Sequence, residues 1–226
     1  MASIVGRSVE KDLWGLTRNE IIETCKLTSG GHTTQLLEEL TESGFIDSYI
    51  PFKKNKYDAL YKLVDEYSLF YLRFMEGRKS MGAGTWVRFT SGNSWTVWSG
   101  YAFESMCMKH LPQIKKALGI GDVYTEVSSW RHRPVDTSDQ GAQIDLLIDR
   151  NDSCINVCEM KFSANEFVIN KAYARELENK LLIFREQTKT KKTLFLTMIT
   201  TFGVKNSRSF PGLVQKEATM PMFFAE

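Results

Sequence analysis

The chain has 226 residues, of which 42% are hydrophobic and 25% charged, and a net charge of +2. These values suit a globular protein with a sizeable core and exclude a chain whose overall charge alone would select a polyanion. No segment approaches the ~18 apolar residues of a membrane span, and no apolar run near the start resembles a signal peptide, so a cytoplasmic protein with no membrane partner is expected.

Cys25, Cys107, Cys154 and Cys158 lie inside apolar patterns without CxxC spacing, which predicts buried free thiols. His32, His110 and His132 are scattered and share no ligand spacing, which argues against zinc. Local basic groups, Lys53-Lys54-Asn55-Lys56, Arg131-His132-Arg133 and Lys189-Thr190-Lys191-Lys192, read either as solvated surface or as contacts to a polyanion.

In chain order, Thr17-Arg-Asn-Glu20 is a capping-box pattern that starts a helix carrying Ile21, Ile22 and Cys25. A Leu27–Gly31 turn leads to a second helix over His32–Ser43, with Leu36, Leu37 and Leu40 inward and Gly44 as its cap. Phe45–Ile50 and Ala59–Val64 read as two strands around a basic loop, so the set resembles a winged helix-turn-helix. Glu38, Glu39 and Glu42 on the second helix would repel phosphates, whereas His32, Thr33, Thr34 and Gln35 could reach bases, and Lys53, Lys54 and Lys56 could hold the backbone. The alternative is a packing or protein-contact module with the same topology.

Asp65–Met75 is aromatic-rich and predicted helical, and the glycines at 77, 82, 84 and 92 suggest a connection. The expected organisation is a first domain over 1–80, a linker over 81–94 and a second domain over 95–226. The second domain opens with a predicted helix over Trp98–Leu118, whose stripe runs through Trp98, Tyr101, Ala102, Met108, Leu111, Ile114 and Leu118. Glu104 shares that stripe, either as a functional acid or as a helix-edge residue reaching outward.

A strand over Val123–Trp130 and a polar loop precede Gly141–Arg150 and Cys154–Phe162, two apolar runs around Asn151-Asp152-Ser153 that read as a hairpin. Asp145, Glu159 and Lys161 interrupt these runs, and burying three ionisable groups is costly without compensation. A three-residue loop would set Asp145 opposite Glu159; a two-residue loop would turn them to opposite faces unless a bulge intervened. Facing carboxylates repel, so one takes a proton or recruits a cation, and a hard divalent ion is the natural compensation. Lys161, on the face of Glu159, would then add positive charge beside a phosphate. The competing reading is a cross-strand ion pair. Lys171–Thr188 is predicted helical, with Tyr173, Leu177, Leu181 and Phe184 in register, and Thr193–Thr200 is predicted as a buried strand. The order predicts a mixed sheet flanked by helices, in the α/β (α+β) class. No periodicity marks the tail from Lys205.

Asp145 followed by Glu159-Met160-Lys161, in this order of elements, resembles the PD-(D/E)XK nuclease superfamily, and Glu104 falls where many members carry a first-helix acid. Gly15–Ile21, Trp98–Glu104, Val127–Arg131 and Ile199–Gly203 are similar to stretches in the C-terminal region of a prokaryotic AAA-type ATPase family. No GxxxxGK[ST] pattern occurs, so no ATPase domain is expected within this chain, which would be either a fragment or a free-standing gene.

The resemblance implies a restriction-endonuclease-like second domain acting on DNA. Mg²⁺, with Mn²⁺ as a substitute, would be bound by Asp145, Glu159 and the carbonyl of Met160. Lys161 would serve as the water- or phosphate-orienting base, and Glu104 as a supporting acid or second-metal ligand. Lys53, Lys54, Lys56, Arg131 and Arg133 would touch nucleic acid. A separate ATPase or a second copy of the chain would be a partner. The alternative is a catalytically inactive DNA- or protein-binding module that keeps the fold as scaffold.

Overall fold

The computed structural model describes residues 15–77, 82, 84–134, 136, 139–205 and 210–224. The protein is mixed α/β and divides into two compact units, one ending at Ser105 and the other beginning at Met106.

The first unit starts with β1 (Leu16–Thr17) and α1 (Arg18–Cys25). Thr17 closes the expected capping box: its side chain accepts from the Glu20 N–H at 3.2 Å, and Glu20 Oε2 accepts from the Thr17 N–H at 2.8 Å. α2 (Gly31–Glu42) buries Leu37 and Leu40 and ends before Gly44, whose φ of +73 favours a residue without Cβ. β2 (Ile46–Tyr49) and β3 (Leu60–Leu63) pair antiparallel around the basic loop, and β1 joins on the other side of β3. Ile21, Leu37, Leu40, Ile46, Leu63 and Leu69 form the core beneath them.

The aromatic segment continues as α3 (Glu66–Phe70) and a π-helical turn over Tyr71–Met75. Not all of it is core: Leu69 and Phe74 are buried, while Tyr67, Tyr71 and Met75 are exposed. The stretch expected as a linker is largely helical where described, with α4 (Thr85–Thr90) and the first turn of α5 (Asn93–Lys109), while positions 81 and 83 lie outside the described residues.

The helix expected over Trp98–Leu118 is two helices, α5 and α6 (Leu111–Ala117). Pro112 lacks the N–H that an uninterrupted helix would use, so it sits in the first turn of a new one after His110. The buried stripe also differs from the expected one. Phe103, Cys107, Ile114 and Leu118 are its buried hydrophobic members, whereas Met108 and Leu111 are only partly covered.

In the second unit, β4 (Thr125–His132), β5 (Ala142–Arg150), β6 (Cys154–Lys161), β8 (Thr193–Thr200) and β10 (Lys216–Thr219) form a five-stranded mixed sheet in the order β10-β8-β6-β5-β4. A two-stranded parallel pair, β7 (Phe167–Val168) and β9 (Val204–Lys205), lies apart from it. β6 and β8 are parallel, which requires a long crossover between them, and α7 (Lys171–Thr188) supplies it. The helix buries Ala174, Leu177 and Phe184, with Leu177 packed on Leu196 and Met198 of β8. β10, at the edge next to β8, lies in the tail where no element is predicted.

Candidate active site

The hairpin between β5 and β6 has the three-residue loop Asn151–Ser153, and Ser153 takes the left-handed φ of +64 that closes such loops. The ladder runs from Asp149↔Ile155 to Leu146↔Cys158, so Asp145 and Glu159 are the next residues on either strand. On its other side β5 pairs with β4 through Ser128↔Leu147 and then Trp130↔Ile144, leaving Asp145 and Leu146 against Ser129 alone. This β-bulge breaks the alternation at Asp145, and bulges re-aim the side chains they carry. Gln143 Nε2 donates to Asp145 Oδ1 at 2.9 Å.

Both acids line a cleft of about 440 Å³. Arg131, His132 and Arg133 enter it from the end of β4, Gln143 and Asp145 from β5, Glu159 and Lys161 from β6, and Glu176, Lys180 and Ile183 from α7. Its charged lining holds four fixed cations, Arg131, Arg133, Lys161 and Lys180, against three carboxylates, Asp145, Glu159 and Glu176. The excess is positive, so the cleft favours an anion.

Glu159 is the most deeply set of these charges. It lies on β6, between β5 and β8, with its side chain 3% exposed. Lys180 Nζ meets Oε2 at 2.6 Å, while Lys161 Nζ and the Tyr173 hydroxyl meet Oε1 at 2.9 and 2.7 Å. Asn170 caps α7 by accepting the Tyr173 N–H at 2.9 Å, which fixes Tyr173 in the first turn. Lys180 follows seven residues later, on the same helix face. That spacing was visible in the sequence, where Lys180 falls within the stripe of Tyr173, Leu177, Leu181 and Phe184, yet Lys180 is absent from the predicted site.

Burial pushes the Glu159 carboxyl upward, but the ammonium groups of Lys180 and Lys161 outweigh it and hold the group below its ordinary value of 4.5. Burial, reinforced by the charges of Glu159, Glu176 and Asp145, drives the Tyr173 phenol well up, so it stays a neutral donor. Burial likewise raises Cys158, an inert buried thiol; all four cysteines are free.

A carboxyl lowered in the folded state stabilises the fold above its unfolded-state value and loses that contribution as pH falls through its folded-state value. Stability is therefore expected to decline as pH drops below about 4.5. Urea midpoints measured from neutral to acidic pH should fall for the wild type and fall less steeply for Glu159→Gln.

Asp145, Glu159, Lys161, Arg131 and Arg133 thus line one cleft, while Met160, 3% exposed, pairs with Ile199 in the central ladder. Glu104 is in the first unit, where its Oε2 lies 3.4 Å from Lys62 Nζ, and is not among the residues lining this cleft. Lys53, Lys54 and Lys56 are also in the first unit and exposed, with Tyr57 beside them 84% exposed.

Asp145 and Glu159 offer hard carboxylate oxygens of the kind that suit Mg²⁺, and the cleft leaves room for its waters, whereas Met160 is not among the residues lining it. No group of three or more His, Cys, Asp or Glu side chains suited to a metal occurs among the described residues, so backbone oxygen and water would have to complete the shell. Both Glu159 oxygens already face cations, and Lys161, 37% exposed, is the one with freedom to withdraw. Compared with family models, curated proteins and solved structures, the chain matches none.

Proposed function

We propose that the cleft is the active site of a Mg²⁺-dependent DNA endonuclease of the PD-(D/E)XK kind, with a restriction-endonuclease-like second domain and an N-terminal winged helix-turn-helix as accessory domain. The observation that carries this reading is the convergence of Asp145 with Glu159 and Lys161 in one cationic cleft, on adjoining strands of a mixed sheet. Folding alone gives no reason to gather seven charged side chains in one cleft.

In this reading Asp145, Glu159 and the Met160 carbonyl would hold the divalent ion, which would polarise a phosphoryl oxygen and acidify a water. Arg131, Arg133 and Lys180 draw in the phosphodiester and offset its charge. Lys161, released from Glu159, turns its ammonium toward the attacking water and the phosphate. Lys180 keeps the buried Glu159 ionised, and the Tyr173 hydroxyl helps fix its direction.

DNA would be gripped at a second place. The loop between β2 and β3 carries Lys53, Lys54 and Lys56 with an exposed Tyr57, whereas the outward face of α2 carries Glu38, Glu39 and Glu42. The loop therefore suits phosphates better than the helix does. Replacing the three lysines by glutamate is expected to weaken duplex binding similarly across sequences and to reduce the salt slope by about 3. Fluorescence anisotropy over a salt series reads both. A separate ATPase or a second copy of the chain remains the proposed partner.

A second reading, a binding module on an inactive nuclease scaffold, is favoured by one observation: both Glu159 oxygens are taken by Lys161, Lys180 and Tyr173. Incubation with duplex, single-stranded and branched DNA in Mg²⁺ or EDTA separates the two. Cleavage that requires the metal and Lys161 supports the enzyme. Absence of cleavage, or equal cleavage by Lys161→Ala, overturns it.

A further inference from the structure

We propose that His132, oriented by Asp139, donates the proton to the leaving sugar oxygen when a phosphodiester is hydrolysed in this cleft. The inference rests on the phosphodiesterase reading above.

His132 closes β4 and lines the cleft together with Asp145 and Glu159. Its Nε2 lies 2.7 Å from Asp139 Oδ2, and both side chains are largely covered, 15% and 23% exposed. The ring stacks on Trp130 at 6.4 Å and 16°, and Trp130 is in turn braced edge-on by Phe184 of α7 at 5.0 Å. The N–H of Asp139 donates to Asp136 Oδ1 at 3.1 Å, which fixes the other half of the pair. The imidazole is thus held on one face by an aromatic ring and at one nitrogen by a carboxylate.

A carboxylate on one ring nitrogen is the arrangement that orients a catalytic histidine. With Nε2 engaged, Nδ1 is the nitrogen left to serve a substrate. Among the described residues, no other hydrogen bond to the ring is seen. The remaining cleft donors suit the role less. Lys180 donates to Glu159, Lys161 once released from Glu159 serves the attacking water rather than the leaving oxygen, the guanidinium groups of Arg131 and Arg133 do not give up protons, and Asp145 and Glu159 accept hydrogen bonds from Gln143 and Tyr173.

In the step, the water oxygen bonds to phosphorus as the bond from phosphorus to the sugar oxygen breaks. The electron pair of that bond stays on the sugar oxygen, which takes the Nδ1 proton of the imidazolium and leaves as a hydroxyl. The attacking water gives its proton to solvent, and neutral His132 regains one from solvent.

The test uses the full chain with Mg²⁺ on two oligonucleotides, one natural and one with sulfur replacing the leaving bridging oxygen, its position chosen from the product ends. A thiolate leaves without protonation. His132→Gln is expected to slow the natural substrate about 10²–10⁴-fold while cleaving the sulfur substrate at nearly the wild-type rate. Asp139→Asn should show a smaller loss with the same recovery, so the proposal does not depend on one variant folding. Equal slowing of both substrates, or no slowing of either, overturns the proposal and leaves the nuclease reading standing. A wild type that cleaves neither substrate overturns both.

Discussion

Glu159→Gln is expected to destabilise the second unit by about 3–5 kcal/mol, because it leaves the ammonium of Lys180, 13% exposed, without its countercharge. Lys180→Met should cost a similar amount for the converse reason, since Glu159 would keep the neutral Tyr173 hydroxyl and, as countercharge, the more exposed Lys161. Combining Glu159→Met with Lys180→Met should recover most of that loss, because well-packed apolar groups replace a buried ion pair at little cost. Hydrogen exchange of the β6 and β8 amides reads these differences within the second unit. Additive losses in the double variant would contradict the coupling. The same double variant should have no nuclease activity, which separates what the pair does for the fold from what it does for chemistry.

Lys161→Ala is expected to lower DNA cleavage about 10²–10³-fold, the scale of removing one charged donor from a developing negative charge. Stability should change little. Lys161 is 37% exposed and solvent screens its pair with Glu159, while Lys180 stays at 2.6 Å. Single-turnover cleavage together with urea unfolding measures the split. A loss of stability matching the loss of activity would make Lys161 a structural residue.

Much of the frame could be read from local chemistry. The Thr17–Glu20 box, the α7 stripe and the buried strand over Thr193–Thr200 stand where their patterns predict. The hairpin register was open between two loop lengths, and the three-residue alternative is the one observed, because side chains alternate with a fixed period and the loop length sets the pairing. What escaped depends on distant parts of the chain. β10 buries only Ala218 among Lys216–Thr219, so it leaves almost no hydrophobic pattern. The bulge at Asp145 arises from pairing with β4, which no local window contains. Glu104 carries a helix-stripe signal, but the stripe does not say which charges will meet it, and Lys62 is one of them. The pairing of His132 with Asp139 joins residues seven apart, and three scattered histidines give no hint of it.

Everything catalytic in this account requires Asp145 and Glu159 to accept a divalent ion although two ammonium groups already stand on Glu159. Titrating the isotopically labelled protein with Mn²⁺ and following paramagnetic broadening of its amide resonances measures this without reference to any substrate. Broadening is expected to centre on Asp145, Glu159 and Met160, to be reversed by Mg²⁺ and to be abolished by Asp145→Asn. Resonances of those three residues left sharp at saturating Mn²⁺, or broadening unaffected by Asp145→Asn, would contradict it.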